Sequence, residues 1–148
     1  DPAMVKLSPL ICYEDILPSL AQQATAKGAQ LLVNLTNDAW FQDTKAPFMH
    51  AQASVFRSVE NRRALVRAAN TGVSCFIDTS GRVTKSVQDE NGRKTYVPGY
   101  AITKIRFDQQ KTFYTRYGDV FMLACAGYLL GALSPIRKTW RKFSRIFR

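Results

Sequence analysis

Apolar positions along the chain come in two patterns. "SPLICYE" and "AQLLVNL" are short runs of strand length, and the unbroken apolarity of the second predicts a strand covered on both faces. Between them, a proline at position 18 and a glycine at position 28 bracket a helix over Pro18–Lys27. Strand, helix and strand in this order predict a parallel crossover unit. "TNDAWFQDTKAP" is rich in turn formers and reads as a loop at the sheet edge. In "APFMHAQASVFRSVENRR", Phe48, Ala51, Val55 and Val59 recur at helical spacing, with Arg57, Glu60 and Arg63 elsewhere, which predicts an amphipathic helix packed on the sheet. "ALVRAAN" and "VSCFIDT" are two further strands joined at Asn70–Gly72. "TSGR" and "ENGR" are turn signals, and Lys94–Phe107 is strand-rich around Pro98-Gly99.

The character changes near residue 114. From Val120 to Ile136, seventeen residues run without a charge. As a helix they extend roughly 25 Å, at the lower limit for crossing a bilayer core. The small residues Ala124, Ala126, Gly127, Gly131 and Ala132 suit close helix contact in lipid, and a basic segment follows directly. Three parts are therefore expected: residues 1–113 as part of a sheet-and-helix domain, 114–136 as a transmembrane helix with its lead-in, and 137–148 as a basic tail. The positive-inside rule leaves the tail in the cytoplasm and the domain on the outer side of the membrane.

Charge sharpens this division. The formal net charge is +10, but six of the 21 Lys and Arg lie in residues 137–148 without any acid, so residues 1–136 carry 15 − 11 = +4. The excess belongs to the tail, and no nucleic-acid partner is expected for the domain. Cys12, Cys75 and Cys125 have no metal-ligand spacing, and the single histidine, His50, has no Cys or His three or four residues away. Neither a metal site, a cofactor nor a disulfide framework is expected. Locally, Cys12 is as compatible with a small core residue as with a nucleophile at a strand end.

Four separated motifs carry a resemblance: "ICYE", then "NDAWF", then "RSVENRRALVRAANTGVS", and last "YTRYGD" before the apolar run. Together, in this order, they resemble the apolipoprotein N-acyltransferases, the membrane-bound branch of the carbon–nitrogen hydrolase (nitrilase) superfamily. The resemblance implies an α/β fold, the C-terminal part of an αββα nitrilase-like sandwich followed by one transmembrane helix, in a monomer at the bacterial inner membrane with the catalytic domain on the periplasmic side. It implies transfer of an acyl chain from a phospholipid to the N-terminal amine of a diacylglyceryl apolipoprotein, through a thioester. The superfamily works with a Glu–Lys–Cys triad whose cysteine falls on Cys12. Both partners precede the cysteine motif in the family, whereas only Lys6, outside any family motif, and no Glu precede Cys12 here. The implied chain is a fragment inactive by itself.

The resemblance also distributes roles. Cys12 is the catalytic nucleophile, and Glu14 matches a family acid that orients the triad lysine or polarises the pocket, while also suiting a helix start. Tyr13 walls the acyl pocket; Asn37, Asp38, Trp40 and Phe41 form a substrate-binding loop after the second strand, where ligands of α/β sheets bind. Gln42 stands where the family usually has Gly. Glu60, Asn61 and Asn70–Gly72 match structural contacts and a tight turn, and His50 matches a structural hydrogen bond. Two other readings of the sequence are a soluble amidase of the superfamily and a non-catalytic, membrane-anchored basic module.

Overall fold

The computed structural model describes residues 4–133, which form two compact units divided between Arg116 and Tyr117. The first is built on a five-stranded sheet: β1 (Leu7–Ile11), β2 (Leu31–Asn37), β3 (Ala64–Asn70), β4 (Cys75–Ile77) and β5 (Val83–Ser86), neighbours in that order. The first three strands are parallel and the last two antiparallel, which gives a mixed sheet. Helix α1 (Pro18–Ala26) makes the expected crossover, with Pro18 in its first turn and Gly28 beyond its end at φ +102°. Helix α2 (Ala46–Asn61) makes the second. Short 3-10 turns at Cys12–Ile16 and Ala39–Phe41 follow β1 and β2.

The helices cover one face of the sheet. Leu10, Leu32, Leu65, Cys75 and Ile77 point into it and meet Ala21, Ala24, Ala51 and Val55 from the helices. The other face is only partly covered among the described residues: Leu31 and Ala64 are buried on it at one end. Leu7, Ile11 and Leu35 are 59%, 52% and 47% exposed on it, and Val33, Val66 and Phe76 are partly so. The expectation that "AQLLVNL" is covered on both faces holds only in part: on the face away from the helices Leu31 is buried and Val33 half-buried, while Leu35 is exposed.

Helix α2 also differs from its expected pattern. Ala51 and Val55 do pack on the core, but Phe48 and Val59 are about half exposed. The buried stripe is instead Pro47, His50, Ser54, Arg57, Ser58 and Asn61, again at helical spacing. The cause lies in the sheet beneath it. Asn34 and Arg67 are register partners in adjacent strands and point at the helix, so the facing stripe has to be polar to satisfy them. Arg57 and Arg63, expected away from the packed face, are both buried; Arg63 donates to the carbonyls of Ala29, Arg62 and Gln110.

The turn signals hold at two places. Asp78 Oδ1 accepts from the amides of Ser80 and Arg82 in the β4–β5 turn, where Gly81 has φ +83°. Asp89 does the same for Asn91 and Arg93, with Gly92 at φ +78°. The strand-rich expectation for 94–107 fails, since no strand forms there among the described residues. The segment attaches instead by single bonds, such as Tyr96 N to Thr71 O at 2.9 Å and Lys85 Nζ to Ile102 O at 3.0 Å.

The expected transmembrane helix with its lead-in over 114–136 is not supported among the described residues. Helix α3 (Phe113–Tyr117) and helix α4 (Val120–Leu133) are separate, with Gly118 at φ +59° between them breaking the helical backbone. Within the described residues helix α4 covers Val120–Leu133 and is apolar on every side. Among the described residues no helix is long and apolar enough to cross a membrane. Positions 134–136 and the basic tail lie outside the described residues.

Candidate active site

Cys12 leaves the C-terminal end of β1 and opens the 3-10 turn at φ +52°. A residue with a β-carbon adopts that left-handed conformation at a cost of about 1–2 kcal/mol, so the surroundings must hold it. Two restraints come from side chains. Asn34 Nδ2 donates to the carbonyls of both Leu10 and Cys12, at 3.0 Å each. Glu14 Oε2 accepts from the amide of Ile11 at 2.7 Å and closes the turn on itself.

The third restraint is Asp15, fully buried three residues after Cys12. Its Oδ1 faces His50 Nε2 at 2.8 Å, and its Oδ2 accepts from Ser54 Oγ and from Arg67 Nη1, the latter at 2.7 Å. Arg57 Nη1 donates to its backbone carbonyl at 3.3 Å. Asp38, at the end of β2, is held in parallel fashion. Its Oδ1 faces His50 Nδ1 at 2.9 Å and accepts from Thr36 Oγ1, while its Oδ2 accepts from Arg67 Nη2 at 3.0 Å. Arg67 Nη1 also donates to Asn34 Oδ1 at 2.7 Å, which links the cluster to the carbonyls around Cys12.

His50 Nε2 and Nδ1 face the two carboxylates, and Arg67 Nη2 also lies 2.9 Å from Nδ1. Burial alone would pull the imidazole down, but the bonds to Asp15 and Asp38 outweigh it and push its pKa up to about 9. Asp38 is likewise raised by burial but more strongly lowered by His50 and Arg67, and lies below its usual value. Two cations, His50 and Arg67, thus face two anions, Asp15 and Asp38, in a neutral buried cluster. Gly72 completes the fit: a β-carbon there would lie 2.1 Å from Asp38 Oδ2, an oxygen already held by Arg67.

Two rings, Tyr13 and Phe41, lie against His50. Tyr13 stacks on His50 with centroids 4.8 Å apart and planes 29° apart; Phe41 meets His50 edge-on at 6.0 Å and Tyr13 edge-on at 6.1 Å. Trp40 is 85% exposed. Asn37 Oδ1 accepts from Ala39 N at 3.1 Å and from Asn70 Nδ2 at 3.2 Å, joining the loop after β2 to the turn after β3. Gln42 has φ +51° and ψ −152°, a conformation in which glycine is at ease and glutamine is not.

The expected site residues Cys12, Tyr13, Glu14, Asn37, Asp38, Trp40 and Phe41 thus belong to two neighbouring segments at the carboxyl ends of β1 and β2. Asp38 is distinct among them, since it is 1% exposed and directed inward. Sequence reasoning did not find Asp15, Asn34, Ser54 or Arg67. A signal existed for two of them, because Asn34 and Arg67 interrupt runs otherwise apolar enough to be buried, and a buried polar group needs a partner. Burial pushes the Cys75 thiol up, and Cys125 is exposed on α4.

The carbon–nitrogen hydrolase family profile matches residues 1–108, and the chain belongs to that family. Its curated relatives include the apolipoprotein N-acyltransferase of Geobacter metallireducens, 42% identical over 87% of this chain and 24% of that protein. That of Chlorobaculum tepidum is 32% identical over 90% of this chain and 24% of its own length. The chain spans about a quarter of the length of these relatives. A carbon–nitrogen hydrolase from Helicobacter pylori G27 shares the fold, with a TM-score of 0.51 at 14% identity over 57% of this chain and 37% of that one.

Proposed function

We propose that this chain carries the nucleophile of an apolipoprotein N-acyltransferase, and that the nucleophile is Cys12. The observation that carries the reading is the left-handed turn at the end of β1, which presents Cys12 half-buried while Asn34 holds its carbonyl and the buried Asp15 anchors the turn three residues on. The names of the relatives supply the reaction class. The Cys12 thiolate attacks the ester carbonyl of a phospholipid, a thioester forms, and the lysophospholipid leaves as an alcohol after taking up a proton. The free amine of the diacylglyceryl-cysteine of an apolipoprotein then attacks the thioester, an amide forms, and the thiol is restored. The Glu and Lys that the family pairs with its cysteine act as general base and oxyanion partner, and are supplied from outside the matched motifs of this chain.

In this reading Tyr13 and Phe41 wall the acyl site, Trp40 offers an exposed apolar surface to the incoming chain, and Asn37 sets the loop. Glu14 serves the turn geometry and Asp38 acts from beneath as a positioning group. The acyl donor places the reaction at the surface of the bacterial inner membrane. The partly covered sheet face is the inner layer of an αββα sandwich, its second sheet coming from the rest of the protein.

The test is mass spectrometry of the intact protein incubated with phospholipid. An acyl adduct on the peptide containing Cys12 is expected, and Cys12→Ala is expected to lower acyl transfer by more than about 1000-fold. An adduct that forms at an unchanged rate in Cys12→Ala would remove Cys12 from the role.

A further inference from the structure

The nucleophile turn and the aromatic loop are separate segments that leave different strands, and the relative placement of their side chains is not set by the sheet alone. Tyr13 and Asp15 belong to the turn; Asp38 and Phe41 belong to the loop. One side chain from α2 reaches all four. His50 Nε2 lies 2.8 Å from Asp15 Oδ1 and Nδ1 lies 2.9 Å from Asp38 Oδ1, while the ring face stacks on Tyr13 and meets the edge of Phe41. Arg67 spans the same two aspartates from the sheet below, without the ring contacts.

We propose that His50 is a positioning residue for acyl transfer, fastening the turn that carries Cys12 to the loop that carries Phe41. The proposal rests on the reading of Cys12 as nucleophile. His50 touches no reacting atom. A cation between two carboxylates fixes Asp15 and Asp38 at one separation, and its aromatic face gives Tyr13 and Phe41 a common platform. Because Asp15 lies three residues after Cys12 within one short turn, displacement of its carboxylate is transmitted to the strained backbone at Cys12. A misplacement of about 1 Å at a reacting group costs on the order of 100-fold in rate.

The experiment follows the alkylation of Cys12 by iodoacetamide in the intact protein, on the peptide containing Cys12, with the peptide containing Cys125 as an internal reference. Wild-type Cys12 is expected to react faster than Cys125; equal rates would overturn the nucleophile reading itself. Given fast wild-type reaction, His50→Gln is expected to slow Cys12 by about 10- to 100-fold with Cys125 unchanged. Thr115→Val is the stability control: Thr115 is buried at the far end of α2, where its Oγ1 donates to Asn61 Oδ1 at 3.1 Å. It is expected to lose stability while Cys12 keeps the wild-type rate. Cys12 reacting within twofold of wild type in His50→Gln, or slowing equally in both variants, overturns the proposal. Should His50→Gln fail to fold, Phe41→Leu carries the test, since it removes a ring contact and leaves the ion cluster intact; a severalfold slowing of Cys12 supports the proposal and an unchanged rate overturns it.

Discussion

At the scale of single residues, the site depends on charges that cancel within a few ångströms. His50 and Arg67 are almost fully buried, and either would be costly alone; each is tolerated because Asp15 and Asp38 accept from both. The pH dependence follows. His50 has a folded pKa of about 9 against an ordinary value of 6.5, so its contribution is complete below about pH 6.5 and is lost as pH rises through 9. Asp38 has the opposite sign: its folded pKa is depressed, so its contribution is present above its ordinary value of 3.8 and lost as pH falls through the folded one. The measurement is the stability difference between wild type and His50→Gln in urea. A difference of a few kcal/mol is expected near pH 6, shrinking steadily between pH 6.5 and 9; a gap constant across that range would show that His50 does not bind its second proton more tightly in the folded state. Cys12 and its aromatic neighbours Tyr13 and Phe41 were legible as residues because each lies in a short contiguous motif, "ICYE" or "NDAWF". The cluster beneath them was not, because its members are 12 to 52 positions apart and meet only through α2 and the strands.

At the scale of elements, the first crossover was legible and the face of the second helix was not. Proline and glycine bracket α1 in the sequence as they do in the structure. Helix α2 shows its apolar residues plainly, yet it buries the polar stripe, since the strand row beneath it carries Asn34 and Arg67. Periodicity identifies a helix without saying which stripe a neighbour requires. The loop after β2 makes a separate point. Gln42 holds a backbone conformation suited to glycine, and the family resemblance places glycine at that position. Gln42→Gly is therefore expected to stabilise the protein by about 1 kcal/mol, with strain relief exceeding the added chain entropy. Thermal unfolding checks this, and a destabilisation of similar size would mean that the loop bears no strain at Gln42.

At the scale of the whole molecule, the sheet has one finished face and one that the described residues cover only in part. Leu7, Ile11 and Leu35 stand on the latter in a row that a second layer would bury. If the intact protein completes an αββα sandwich there, Leu35→Lys behaves oppositely in two settings. In the isolated chain it is expected to reduce aggregation by interrupting the apolar patch. In the intact protein it is expected to cost about 2–5 kcal/mol, because an unpaired ammonium would be buried between sheets. Light scattering of the first and denaturant unfolding of the second decide the matter; a neutral effect on the intact protein would leave that face without a covering layer.

The sequence by itself determined the first parallel crossover unit and the turn at Asn70–Gly72, because each is written in local spacing, and it nominated Cys12 through four separated motifs taken in order. It also announced an apolar segment near the C-terminus, though not that Gly118 would separate its lead-in from helix α4. Only the tertiary structure decided that His50, Asp15, Asp38 and Arg67 would share one buried site. Their attraction depends on distances of about 3 Å. Such distances exist only after three parallel strands and a helix have brought far-apart positions together.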